Sequence, residues 1–133
     1  MPSSKKATKN RAPLNLLMGA VGLLAVLLLL LNHLLPLPDA VRLVCGLALI
    51  VVIPTLWSTR KSDEYTLQLW TAGANAAFAT CLFFFFFLAL AQGTADAFPE
   101  WEANFIEFTD HAFDLTLLAF FLAFNIKRFT GAL

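Results

Sequence analysis

The chain alternates between long uncharged apolar stretches and short polar interruptions, and that alternation predicts four helices. The first stretch runs from Leu14 to Leu35, and Pro36 and Pro38 end it because neither offers an N–H to a helical ladder. The second runs from about Ala40 to Trp57, with Pro54 near its end, where a kink or early unwinding is expected. The third begins near Thr66 and continues to Ala91; Ser62 is its expected N-cap, and Asp63 and Glu64 suit the positive end of the helix dipole. The fourth occupies His111 to Phe129. Helices of this kind rise ~1.5 Å per residue and can cover the ~30 Å of a bilayer's hydrocarbon. The pattern therefore describes an all-α polytopic membrane protein with four transmembrane helices arranged as two hairpins. Residues 1–13 form a basic tail and residues 14–133 a single transmembrane domain.

Between the third and fourth stretches lies the longest connection, residues 92–110. Phe98, Trp101, Phe105 and Phe108 recur there at three- or four-residue spacing, Pro99 suits a first helical turn, and Glu100, Glu102 and Glu107 interleave. A short amphipathic helix at the outer interface, or an extension of the fourth span, is expected.

Composition strengthens the membrane reading. Of the 133 residues 59% are apolar and 14% charged, with mean hydropathy +0.75; a soluble domain carries about 25% charged residues. The zero net charge gives no basic field for nucleic acid. Cys45 and Cys81 fall inside apolar stretches without C-x-x-C spacing and are read as small buried side chains rather than a disulfide or metal pair. The first stretch is too long for a secretory signal and lacks an A-x-A-like cleavage site, so it is expected to stay as an anchor.

Charge also orients the spans. Lys5, Lys6, Lys9, Arg11, Arg60, Lys61, Lys127 and Arg128 all fall on one side of a four-span chain, with Arg42 alone on the other. Asp39, Asp96, Glu100, Glu102, Glu107, Asp110 and Asp114 collect opposite them. The positive-inside rule then places both termini and the 58–65 turn in the cytoplasm.

No Lys, Arg, Asp or Glu lies near the middle of any stretch, which argues against an ion-coupled transporter. Asn15 and Asn125 lie near the cytoplasmic ends and are expected to be wet. Asn75 is deeper, among the small-xxx-small pairs Gly73/Ala77 and Ala72/Ala76. A second small patch comprises Gly19, Ala20 and Gly22. Gly19, Gly22, Gly73, Asn75 and Ala77 are thus expected to pack spans one and three together, because small residues let backbones approach.

All fourteen phenylalanines follow residue 77, and Phe83, Phe84, Phe85, Phe86 and Phe87 are consecutive. Five in a row point in every direction around a helix, so some must face lipid or a partner. Aromatic packing with lipid or protein contact is the simpler reading; a groove for an isoprenoid lipid or pigment, such as a quinone tail or carotenoid, is the sharper one. No cofactor is identified by sequence.

Glu107, His111 and Asp114 share one helical face at i, i+4 and i+7, and His33 lies near the same surface at the end of span one. Such residues can ligate a divalent cation. No H-E-x-x-H pattern accompanies them, so the trio is read as a solvated interfacial cluster and no metal is assigned. His33 and His111 sit toward span ends, which places them poorly for a haem or chlorin iron.

The turn Arg60-Lys61-Ser62-Asp63-Glu64-Tyr65, followed by Thr66-Leu67-Gln68-Leu69-Trp70, has an R-x-x-D-E-[YF] form. With the basic pair Lys127-Arg128 closing the last helix, it resembles a group of small uncharacterised bacterial four-helix inner-membrane proteins. The resemblance covers mainly residues 57–92 and that ending. It implies an inner-membrane location and the same helical plan, and no activity.

No catalytic constellation, no midplane charge and a surplus of aromatic surface together predict a non-catalytic accessory subunit of a larger membrane complex, respiratory or photosynthetic. Two alternatives come from other classes. One is a small-molecule carrier or channel acting as an oligomer, with a polar cavity lined by Asn75, Thr71 and Thr80. The other is a periplasm-facing metal or pH sensor built on Glu107, His111 and Asp114.

Overall fold

The computed structural model describes residues 11–95 and 111–131. Within them the chain forms four helices: α1 (Ala12–Leu34), α2 (Asp39–Thr59), α3 (Glu64–Ala95) and α4 (Ala112–Thr130). The basic tail before Arg11 and the segment 96–110, with its expected amphipathic helix and Glu107, lie outside the described residues.

Local chemistry sets the helix ends. α1 closes on Leu35 in extended conformation, whose N–H still reaches the Leu31 carbonyl at 2.8 Å before Pro36 stops the ladder. α2 runs through Pro54 to Thr59, further than the expected unwinding. Pro54 cannot donate to the Ile50 carbonyl, and one residue on the Thr55 hydroxyl donates to the Val51 carbonyl at 2.7 Å, so side-chain oxygen supports the weakened turn. The cap of α3 is Asp63, not Ser62. The Thr66 N–H donates to Asp63 Oδ1 at 2.7 Å and the Asp63 N–H donates to Thr66 Oγ1 at 3.3 Å, a reciprocal box that Ser62 stands one residue too early to make. α4 ends at Gly131, where φ is +64° and the N–H reaches the Lys127 carbonyl at 2.9 Å; a side chain would strain this left-handed cap.

α1, α2 and α3 are each long and apolar enough to cross a membrane. α4 carries Asp114 in its first turn and Lys127 and Arg128 in its last, and is not among them. It is nevertheless central to the packing. α1 lies along α2 and along α4, and α4 lies along α3, whereas α3 barely meets α1 or α2. The order across the bundle is α2, α1, α4, α3. Its core is built from Val26 of α1, Val52 and Leu56 of α2, Leu69 of α3 and Phe120, Phe121 and Phe124 of α4.

That order corrects one expectation. The small-residue patches of α1 and α3 do not face each other, because α4 stands between them. A Cβ on Gly19 would strike the Phe124 ring, and one on Gly22 the Phe121 ring. A Cβ on Gly73 would come within 2.9 Å of the Phe120 carbonyl oxygen and of its ring. Each glycine is a socket for α4, and the close fit replaces the hydrophobic drive that lipid does not supply.

Candidate functional site

Three surfaces carry the chemistry, and the first lies at the end of the bundle bearing the α2–α3 turn. Asn15 and Asn125, expected to be wet, are both buried. The Asn15 amide nitrogen donates to Thr59 Oγ1 at 2.8 Å, joining α1 to α2. The Asn125 amide nitrogen donates to the carbonyls of Phe121 at 2.8 Å and Gly19 at 3.1 Å, joining α4 to α1. The Arg128 guanidinium donates to the Leu16 carbonyl at 3.0 Å, and the Tyr65 hydroxyl donates to the Arg128 carbonyl at 3.0 Å. Arg60 lies over the Trp57 ring, 3.1 Å from its centroid, and Trp57 meets Trp70 edge-on at 5.5 Å. These contacts fasten helices. Phe121, Asn125 and Arg128 stand at i, i+4 and i+7, so Asn125 continues the buried stripe of α4 and the half-buried Arg128 ends it, a placement that nearness to a span end does not reveal.

The second surface is aromatic. Of the five consecutive phenylalanines, Phe84 points inward and is buried, Phe87 is half-buried, and Phe83, Phe85 and Phe86 are exposed, the last two at 70% and 71%. Phe78, Leu90 and Phe113 are exposed as well. Phe83 stacks on Phe87 at 5.8 Å. A small cleft beside them is lined by Cys81, Phe84, Phe85, Leu88, Phe113 and Thr116. Both cysteines are free thiols, Cys45 buried and Cys81 half-buried.

A groove of about 840 Å³ runs between α3 and α4, lined by Glu64, Leu67, Gln68, Thr71, Asn75 and Lys127 among smaller residues. Asn75 is therefore exposed along this groove and not part of a contact between α1 and α3, a second correction to the expected packing. Ala77 is half-buried against the core. Thr80 does not line the groove; its hydroxyl donates to the Ala76 carbonyl at 2.9 Å within its own helix.

The third surface lies at the opposite end. His33, in the last turn of α1, meets Asp114, in the first turn of α4, with Nε2 and Oδ2 2.9 Å apart. His111, which precedes α4, brings its ring edge-on to that of His33 with centroids 4.6 Å apart. One ligand atom from each of the three side chains lies within 4.8 Å of the others. Helical spacing groups His111 and Asp114 with Glu107; the structure joins them to His33, 81 residues before Asp114 in sequence.

Fold and surfaces together define an all-helical bundle of the membrane type, with three helices fit to span. No family model, no curated protein and no solved structure matches the chain.

Proposed function

We propose that this chain is a non-catalytic accessory subunit of a larger bacterial membrane complex, held in the membrane by four spans and docked through the phenylalanine face of α3. The observation that carries the reading is that face. Phe78, Phe83, Phe85, Phe86 and Leu90 stay exposed although the bundle has a complete aromatic core in Phe120, Phe121 and Phe124. Exposed rings grouped on one face offer a protein partner the rigid aromatic anchors that dominate association energies.

The fourth span and the orientation belong to this proposal. α4 has 19 residues, about 28 Å of helix, with its charges confined to both ends and its uncharged middle packed between two helices apolar enough to span. That enclosure supports a fourth span running beside them. Arg11, Arg60, Lys61, Lys127 and Arg128 lie at the end tied together by Asn15, Tyr65 and Arg128, which supports a cytoplasmic placement of that end in a bacterial inner membrane. A bioenergetic complex, respiratory or photosynthetic, is the preferred host, and an isoprenoid tail is an alternative occupant of the aromatic face.

Blue-native electrophoresis of membranes dissolved in mild detergent tests the proposal. The chain is expected in a band far larger than itself, and the Phe85→Ala/Phe86→Ala variant in a smaller one. Migration of the unaltered chain only as a small free species would sink the reading.

One observation favours a second reading. The groove beside α3 presents Gln68, Thr71 and Asn75 in the row a carrier would need. Under that reading Asn75→Leu abolishes flux of a small polar solute through proteoliposomes while leaving the helical signal intact.

A further inference from the structure

Two imidazoles and one carboxylate converge where α1 ends and α4 begins, and we propose that His33, His111 and Asp114 hold a divalent transition ion of the zinc type, bridging the two helices. The inference stands apart from the docking face, which lies on α3.

The geometry is close to what such an ion requires. Bonds of ~2.0–2.1 Å in a tetrahedral shell set ligand atoms about 3.3 Å apart. His33 Nε2 and Asp114 Oδ2 are already 2.9 Å apart, and all three ligand atoms lie within 4.8 Å. Gathering them takes roughly 1–2 Å of side-chain movement. The side chains have that freedom: His33 is 35% exposed and Asp114 19%, so the cluster is neither sealed nor bare.

The donor set selects the class of ion. Imidazole nitrogen favours zinc, cobalt, nickel or copper, whereas calcium and magnesium want oxygen throughout. Three protein ligands leave a fourth position for water. An ion on His33 Nε2 requires the neutral ring with its single proton on Nδ1, and it would replace the Nε2–Asp114 hydrogen bond with a bond from each side chain to the metal. Charge is favourable on balance: the C-terminal carbonyls of α1 and the Asp114 carboxylate attract a cation, and the amide end of α4 opposes it only partially. The competing account is a plain His–Asp hydrogen bond closing the bundle, which would need neither His111 nor a metal.

Titration of the tag-free full chain in detergent, stripped with chelator, separates these accounts. The expected result is one Zn²⁺ per chain, an upward shift in the thermal midpoint on binding, and a visible absorption band of tetrahedral intensity with Co²⁺. His111→Ala leaves the His33–Asp114 contact in place and is expected to weaken binding by roughly 100-fold or more, beyond the 10–100-fold that loss of a supporting residue brings. Asp114→Asn keeps the size of the side chain, removes its charge, and is expected to weaken binding similarly; it carries the test if His111→Ala does not fold. Absence of saturable Zn²⁺ binding, or binding unchanged by Asp114→Asn, would overturn the assignment.

Discussion

The two halves of α4 meet the same neighbouring helices in opposite ways. From Phe120 to Asn125 every residue but Leu122 is buried, while from His111 to Ala119 none is. The difference lies in what stands across from them. The half with Phe121 and Phe124 faces Gly22 and Gly19 of α1, and Phe120 faces Gly73 of α3. The other half lies beside the leucine-rich end of α1 and the phenylalanine-rich end of α3, where no glycine among the described residues receives an α4 side chain. One end of the bundle is closed by rings in glycine sockets and by buried amides. The other is joined by polar side chains that water can reach.

The comparison breaks most clearly at Phe121, which is fully buried. Phe121→Ala should cost about 3–5 kcal/mol, because the Gly22 socket cannot collapse to fill the space. Reversible unfolding in mixed micelles, followed by circular dichroism, measures it. A loss under about 1 kcal/mol would mean that the rings are not what pins α4 to α1.

Gly22→Ala attacks the same contact from the other side. The added methyl meets the Phe121 ring, and overpacking of this kind costs about 1–3 kcal/mol. Combining it with Phe121→Leu should recover part of the loss, since the two changes share one space. Gly46→Ala is the control: a Cβ there meets nothing within 4 Å, and little change is expected.

The buried amides sharpen the contrast further. Asn125→Leu removes the donor to Gly19 and should cost about 0.5–1.7 kcal/mol, the range found for hydrogen bonds between membrane helices. Thr116→Val in the looser half gives up a 3.8 Å contact from Cys81 and a 2.7 Å bond to the Ala112 carbonyl of its own helix, and should cost less than about 0.5 kcal/mol because neither is a short bond between helices.

Sequence carried the helices and little of how they meet. Proline and the limits of the apolar runs mark α1 to α4 within a few residues, because end signals are local. The partner of a small-residue patch is not local. Gly19 and Gly73 look alike in sequence whether they face each other or a third helix, and only the position of α4 decides. Asn15 and Asn125 misled for a related reason: nearness to a span end suggests water, but depth along the membrane normal says nothing about which way a side chain points around its helix. His111 and Asp114 were legible as a pair through their i, i+3 spacing. Sequence places His33 only near the same surface; its meeting with them depends on α1 and α4 lying side by side, which spacing along one helix does not show.

The smallest effect on the isolated chain is expected at Phe85 and Phe86, and that smallness is informative. Both rings are about 70% exposed, so removing them opens no cavity and should change folding stability by less than about 0.5 kcal/mol each. If the face exists to be covered, the same pair of substitutions should still release the chain from its complex, since buried aromatic anchors dominate association energies. Stability and assembly would then separate cleanly: Phe121→Ala damages both, and Phe85→Ala/Phe86→Ala only the second. Should the pair leave assembly intact while co-purified isoprenoid lipid disappears, the rings serve a ligand instead of a protein. A change in neither would make the face a lipid-facing surface, and the reason for five consecutive phenylalanines would have to be sought in the bilayer itself.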